Sequence, residues 1–153
     1  KIVYCKSGNI GNQGRSEICE FDFLGYQFKG RTAETKSGKL FRSFGPAISK
    51  KAVKSILYNI KHRWKLQKRT FLDLDKIARS VNPIINGWFH YYGKYNKSYL
   101  KIIARVINNR IRIWASKKFL SLHGRQTRCC NWLIKVYKAN PKLFAHWAMF
   151  PVQ

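Results

Sequence analysis

Acidic, cysteine and histidine side chains are the groups in this chain that could perform chemistry, and they are few. The 153 residues contain 6 acidic side chains, 4 cysteines and 4 histidines. A polymerase or nuclease site needs carboxylates that converge on two metal ions, and Asp73 and Asp75 form a candidate pair. That pair lies at an expected helix start, where carboxylates stabilise the helix dipole. We therefore interpret it as helix capping rather than as a metal site.

The cysteines and histidines do not show the spacing of a metal site or of a nucleophile with its base. Cys5 and Cys19 flank a polar segment, Cys129 and Cys130 are adjacent, and no Cys-x-x-Cys motif occurs. A zinc site that combines His123 with Cys129 and Cys130 is the alternative, because zinc accepts both ligand types. We favour thiols in a reducing compartment, and the sequence predicts no cofactor and no metal.

Basic residues, by contrast, are numerous, with 31 lysines and arginines and a formal net charge of +25. No acidic residue lies between Glu34 and Asp73, and none follows Asp75. Self-repulsion on this scale destabilises a compact fold, so a polyanionic partner is the economical explanation. Nucleic acid is favoured over a membrane surface because the charge is spread along an aromatic-rich chain, with 15% Phe, Trp and Tyr.

No run of residues is apolar enough to cross a bilayer, and no signal peptide is recognisable. We therefore expect a cytoplasmic (bacterial) or organellar protein that is not secreted and has no membrane partner. Because the chain begins with Lys1 in a strand-like segment, we also expect it to be a fragment of a longer protein.

Basic side chains recur at helical spacing in two segments. The first basic stripe falls within about 60° on one helix face and consists of Lys50, Lys54, Lys61, Lys65 and Lys68. The second basic stripe aligns similarly and consists of Lys101, Arg105 and Arg112. Rows of cations suit the neutralisation of phosphates, and the alternative for each row is an ordinary solvated face. With Arg69 and a third, less regular group, the predicted RNA contacts are Lys50, Lys54, Lys61, Lys65, Lys68, Arg69, Lys101, Arg105, Arg112, Lys117, Lys118, Arg125 and Arg128.

Helices must position these stripes. Val53, Ile56, Ile60 and Trp64 recur at the spacing of a buried helix face. They predict a helix that begins after Ser49, a favourable N-cap, and that continues through the first basic stripe. A second helix is predicted from Asp73 to Gly93, with Pro83 expected to kink or restart it. The predicted ranges of a third helix, a fourth helix and a final aromatic turn are residues 97–122, 125–138 and 143–150.

Strands are predicted before residue 45. Lys1–Lys6 reads as a short strand, and Phe21–Phe28 as one longer strand with Gly25 as a bulge. Leu40–Phe44 is expected to form a hairpin across a polar turn. Together these elements predict a mainly α (α+β) fold: a small N-terminal β region, a three-helix bundle and a smaller helical C-terminal part.

Several sequence blocks carry a resemblance to a known family. The blocks PAIS (Pro46–Ser49) and NPIINGW (Asn82–Trp88) resemble the maturase-specific region of group II intron reverse transcriptases. FDFLGYQF (Phe21–Phe28) resembles the junction of palm and thumb in these enzymes, and NWL (Asn131–Leu133) and LFAHW (Leu143–Trp147) resemble the end of their domain X. The blocks occur in the order of the family and span nearly the whole chain.

The resemblance implies an organisation and a function. Residues 1–45 would form the β region of the palm/thumb junction, 46–122 the thumb or maturase-specific bundle, and 123–153 the C-terminal part of domain X. The thumb would grip a primer–template RNA/DNA duplex, and the maturase region would bind structured intron RNA and assist splicing. Other partners would be the palm and fingers of a parent RNA-directed DNA polymerase, on which the β region would pack with exposed apolar surface. The paired-aspartate polymerase motif would precede Lys1, so we expect this chain alone not to be an enzyme.

Two other classes of protein are compatible with the charge. A structural RNA-binding protein of the ribosome-associated type would explain the basic surface but not the FDFLGYQF or NPIINGW blocks. A DNA-binding transcription factor is less suitable, because no compact helix-turn-helix is recognisable and the long acid-free segment indicates a broader footprint.

Overall fold

The computed structural model describes residues 20–35 and 37–152 of the chain. The described residues up to Val53 form one compact unit, and those from Lys54 onward form a second. The predicted strand at Lys1–Lys6 lies outside the described residues.

The first unit contains an antiparallel sheet of three strands in the order β1 (Glu20–Phe23), β2 (Tyr26–Glu34) and β3 (Leu40–Ile48). The prediction of one strand over Phe21–Phe28 is wrong, because a two-residue turn reverses the chain within it. Leu24 and Gly25 both have positive φ, 48° and 80°, as the tight hairpin turn requires. Gly25 is therefore a turn residue rather than a bulge, and Leu-Gly lacks the Asn-Gly or Asp-Gly signal by which such turns are recognised.

The hairpin between β2 and β3 is confirmed, although β3 extends beyond Phe44 to Ile48. It passes through Pro46, which lacks an N–H and is accepted because β3 lies at an edge of the sheet. Ser49 follows as the predicted N-cap: its Oγ accepts a hydrogen bond of 3.1 Å from the backbone N–H of Ala52. The sheet also exposes large apolar side chains, as the resemblance implied, including Phe23, Leu24 and Leu40.

Helix α1 (Lys50–Tyr58) is shorter than predicted. It passes into one turn of π-helix (Asn59–Arg63), after which Lys65 adopts a left-handed conformation with φ 45° and ψ 41°. The helical segment ends here because both Trp64 and Leu66 are buried, with exposed fractions of 6% and 2%. Residues two apart on an α-helix point in nearly opposite directions, so a continuous helix could not bury both.

Three longer helices follow: α2 (Leu74–Tyr92), α3 (Lys101–Lys118) and α4 (Gln126–Ala139). Asp73 occupies the N-cap position of α2, and Gly93 its C-cap. The helix continues through Pro83 without restarting. The second unit also contains short 3-10 turns at Leu66–Lys68, Lys97–Leu100, Leu120–Leu122 and Ala145–Ala148.

Helix α3 lies at the centre of the helical unit. Its stripe of Ile103, Ile107, Ile111 and Trp114 is at most 1% exposed, and it packs against α4 and against the 3-10 turn at Leu66–Lys68. The prediction of a mainly α fold with a small β part is confirmed. Among the residues that the structure describes, no helix has the length and hydropathy needed to span a membrane.

Candidate nucleic-acid interface

The lysines of the first basic stripe are all exposed but do not share one helix face. Lys54 lies on α1, Lys61 in the π turn, and Lys65 and Lys68 beyond the end of the helix. A π turn closes from residue i to i+5, so later side chains are displaced by about 100° from their α-helical positions. The prediction of a single aligned row is therefore wrong, because it assumed a continuous helix. Lys50 is exposed as well, within the unit that ends at Val53.

The second basic stripe does form an aligned row, because α3 is regular over its whole length. Lys101, Arg105 and Arg112 line one cleft of about 380 Å³, which we call the α3 cleft. Its opposite walls come from Cys130 and Leu133 on α4 and from the segment Phe150–Val152. The structure therefore places three predicted contact residues together in a concave site.

Asn108 lies in the same row and also lines the α3 cleft. Its Oδ1 accepts a hydrogen bond of 2.9 Å from Trp147 Nε1 and lies 2.8 Å from Nε2 of His146. An indole N–H can only donate, so the oxygen of the amide must face Trp147. Nε2 of His146 must then donate to the same oxygen, which fixes the tautomer of the imidazole.

His146 is fully buried, and this burial lowers the pKa of its imidazole to about 3. The ring is therefore neutral at physiological pH, consistent with one nitrogen that donates and one that does not. Its Nδ1 has no hydrogen-bond partner in the part of the chain that the structure describes. Phe144, Trp147 and Phe89 surround the ring within 6.3 Å between centroids.

Arg112 is half-buried and has two protein partners. Its Nη1 donates to Cys130 Sγ at 2.6 Å, and its Nη2 donates to Asn109 Oδ1 at 3.0 Å. A guanidinium has five N–H donors, so these contacts orient the group and leave donors for a ligand. Arg105 and Lys101, by contrast, are exposed at the mouth of the cleft.

In the third basic group, adjacent lysines have different roles. Lys118 Nζ donates to Leu72 O at 2.7 Å and to Asp73 Oδ1 at 3.1 Å, and lies 5.2 Å from the ring centre of Trp114. These contacts give Lys118 a structural role at the start of α2. Lys117, Arg125 and Arg128 are exposed, whereas Arg69 is half-buried and its carbonyl accepts a bond from Trp114 Nε1.

Asp73 and Asp75 lie at the start of α2 as predicted, but Asp73 does not cap the helix with its side chain. Its carboxylate pairs with Lys118, and this hydrogen bond and charge lower the pKa of the Asp73 carboxyl. Over residues 20–35 and 37–152, no group of three His, Cys, Asp or Glu residues could hold a metal ion. Cys129 is buried and its thiol donates to Leu122 O at 3.3 Å, while Cys130 contacts Arg112.

Sequence reasoning missed one polar residue of the α3 cleft and one further groove. Asn108 was not selected because it carries no charge, although its spacing from Lys101 and Arg112 places it on the same helix face. The second is an open groove of about 1040 Å³ that Lys94 and Lys97 line together with residues of α2 and the C-terminal segment. These lysines lie in a loop and a 3-10 turn, where helical spacing gives no signal.

Comparison with known families identifies the region that holds these sites. The family model of the group II intron, maturase-specific domain, matches residues 53–143, more than half of the 153 residues. A comparison with curated proteins and one with solved structures gave no match. The matched range contains the whole of α2, α3 and α4, and hence most of the α3 cleft. The chain therefore belongs to the family of the group II intron maturase-specific domain.

Proposed function

We propose that this domain binds the folded RNA of a group II intron through phosphate contacts and thereby assists its splicing. Family membership fits a maturase role in group II intron splicing. The maturase-specific domain is a non-catalytic region, which agrees with the expectation that this chain alone is not an enzyme. The observation that most directly supports RNA binding is the convergence of Lys101, Arg105 and Arg112 on one cleft.

Physical requirements favour RNA as the partner. A folded intron presents dense phosphates, and a protein that neutralises them gains affinity from the release of counterions. Double-stranded RNA is recognised through shape, phosphates and 2′-hydroxyls, because its major groove is too narrow for side chains. A rigid helical unit that displays lysines and arginines on several surfaces suits this mode better than base reading. The exposed contact candidates on this unit are Lys54, Lys61, Lys65, Lys68, Lys101, Arg105, Lys117, Arg125 and Arg128.

The proposal extends to a parent protein. In a bacterial cytoplasm or an organelle, an RNA-directed DNA polymerase that contains this chain would use the same cations to grip its primer–template duplex. The palm and fingers would then be its protein partners, and the exposed apolar side chains of the sheet, such as Phe23 and Leu40, would suit that packing.

Equilibrium binding at several salt concentrations tests the proposal. Purified chain is titrated into labelled group II intron RNA, with an unstructured RNA of equal length as a control. Neutralising about 5 phosphates implies a log–log salt slope near −3.5 to −4.5, together with tighter binding of the folded RNA. A slope near zero, or equal affinity for both RNAs at every salt concentration, would contradict the proposal.

A further inference from the structure

The α3 cleft is a concave basic site with walls from three segments. Lys101, Arg105, Asn108 and Arg112 project from α3, and α4 and the segment Phe150–Val152 form the other walls. Its volume of about 380 Å³ lies at the small end of the range of ligand pockets, which is roughly 300–1,000 Å³. The cleft therefore has space for one small group with its immediate substituents, rather than for a duplex.

The polar atoms that α3 presents to this cleft are donors. Lysine and arginine side chains have no acceptor. Asn108 Oδ1 is engaged by Trp147 and His146, so the Nδ2 amide is the end that remains. Over the described residues, no hydrogen bond occupies that amide, and none of the side chains that line the cleft is acidic. A ligand must therefore bring negative charge and several acceptor oxygens.

Trp147 and His146 fix the orientation of the Asn108 side-chain amide. Trp147 Nε1 can only donate, and it sits with His146 in a fully buried aromatic cluster. Rotating the amide would direct its NH₂ group against the indole N–H and leave two buried donors without an acceptor, which is unfavourable. His146 and Trp147 are thus positioning residues, and they keep a neutral donor aimed at the same space as the cations.

We propose that the α3 cleft binds a single RNA phosphodiester, whose oxygens accept hydrogen bonds from Arg105, Arg112 and the Nδ2 amide of Asn108, while Lys101, about 16 Å from Arg112 along the helix axis, adds positive charge at the other end of the cleft. Arginine pairs with phosphate through parallel N–H bonds, and the contacts of Arg112 with Cys130 and Asn109 hold its guanidinium in place for this. Apolar lining from Leu133 and Pro151 suits the sugar next to the phosphate. The inference rests on the proposed function. It adds one phosphate contact of defined geometry to the contacts that the exposed lysines and arginines make.

A titration with inorganic phosphate tests the cleft without RNA. The side-chain amide resonances of the intact chain are followed by NMR at constant ionic strength, with chloride as the replaced anion. Asn108 should shift and saturate, whereas Asn131, exposed on α4, should not. An unchanged Asn108 signal would overturn the proposal, as would parallel, non-saturating shifts of both signals.

The second test measures the RNA affinity of two variants. Asn108→Asp keeps an acceptor for Trp147 and His146 but replaces the donor with a negative oxygen, and Asn131→Asp changes the net charge equally. We expect an affinity loss of roughly 10- to 150-fold for Asn108→Asp and of less than about twofold for Asn131→Asp, since one lost charge-assisted contact is worth about 1.5–3 kcal/mol and about 1.4 kcal/mol is tenfold. Equal losses in the two variants, with RNA still bound, would refute the cleft and leave the proposed function standing.

If Asn108→Asp does not fold, a variant at an exposed residue of the cleft still tests the proposal. Arg105 and Lys135 are both exposed, so Arg105→Gln and Lys135→Gln should fold alike and lose one charge each. Arg105→Gln should weaken RNA binding severalfold more and reduce the salt slope by about 1 unit. Equal effects would count against the cleft. If the unaltered chain binds no folded RNA, the proposed function fails, and the phosphate titration alone decides whether the cleft binds phosphate.

Discussion

The two basic stripes look equivalent in the sequence and differ in the structure. Lys101, Arg105 and Arg112 lie in register on a regular helix and share a cleft. Lys54 lies on an α-helix and Lys61 lies in a π turn, whereas Lys65 itself has a left-handed backbone conformation. The difference follows from the core beneath each row, because α3 buries residues at helical spacing, whereas Trp64 and Leu66 require the chain to turn.

This comparison separates two ways of presenting charge to a polyanion. In the α3 cleft, Cys130 and Asn109 hold the guanidinium of Arg112, and Asn108 adds a donor whose direction is fixed. In the first basic stripe, exposed lysines project into solvent and retain their side-chain freedom. Exposed lysines contribute long-range attraction that salt screens, while a concave group of oriented donors can select one phosphate geometry.

The largest expected effect concerns Trp64, the residue that ends the first helical segment. It is 6% exposed and stacks on Trp88 at 5.8 Å between ring centroids. Trp64→Ala should lower the free energy of unfolding by about 3–5 kcal/mol, because it leaves a cavity in the core. Urea denaturation measures this change, and Phe71→Ala, at a side chain that is 78% exposed, is the control. A loss below about 1 kcal/mol would contradict the account of the helix end.

The second effect concerns pH and the buried side of the α3 cleft. The pKa of His146 is about 3 in the folded chain and about 6.5 in the unfolded chain. Between these values the unfolded state binds more protons, so stability is complete above about pH 6.5 and is lost as the pH falls. At about 1.4 kcal/mol per pH unit, unfolding should be easier by about 2 kcal/mol at pH 5.

Replacing the imidazole separates this titration from other effects of acid. Gln at position 146 can donate to Asn108 Oδ1 and does not titrate. Urea denaturation of His146→Gln between about pH 5 and 7.5 should show a nearly flat free energy of unfolding, whereas the unaltered chain should show the slope. Equal slopes in the two proteins would assign the pH dependence to another group.

A smaller effect separates Lys118 from its neighbour. Lys118→Gln removes the charged donor to Leu72 O and Asp73 and should cost about 1–2 kcal/mol of stability, given that such hydrogen bonds are worth about 1.5–3 kcal/mol. Lys117→Gln, at an exposed side chain, should change stability by less than about 0.5 kcal/mol. Thermal or urea unfolding of the pair measures the difference, and equal stabilities would exclude the structural role of Lys118.

The smallest effect tests the left-handed residue within the first basic stripe. Lys65→Gly relieves a conformation that costs a side-chain-bearing residue about 1–2 kcal/mol, while the added freedom of the unfolded chain offsets about 0.4–1 kcal/mol. We expect a change between zero and about 1.6 kcal/mol toward greater stability. Lys61→Gly, within the π turn, should instead destabilise by about 1 kcal/mol. The reverse order of the two unfolding midpoints would contradict the assigned conformation of Lys65.

Elements in which buried residues recur at one regular helical or strand spacing could be predicted from the sequence. Places where that spacing is interrupted within a segment could not. Helix α4 agrees closely with its predicted range, and Ser49 has its predicted capping bond. Helix α3 is shorter than the predicted range of 97–122, because 3-10 turns replace the α-helix at both ends. Trp64 and Leu66 are both apolar, but the conflict between their burial and a continuous helix depends on tertiary packing. The Leu24–Gly25 turn lacked the usual polar signal. The α3 cleft needed the segment Phe150–Val152, whose placement no local pattern specifies.

The salt dependence of RNA binding in three charge-matched variants tests the central claim that these cationic surfaces contact RNA phosphates. One variant replaces Lys101, Arg105 and Arg112 with Gln, the second replaces Lys54, Lys61 and Lys65, and the control replaces Lys135, Lys138 and Lys142, which are exposed. The first two should each reduce the log–log salt slope for folded intron RNA by about 2–3 units, with the larger affinity loss in the cleft variant. The control should lose affinity only modestly, through net charge. The same affinity and the same slope in all three variants would contradict the claim.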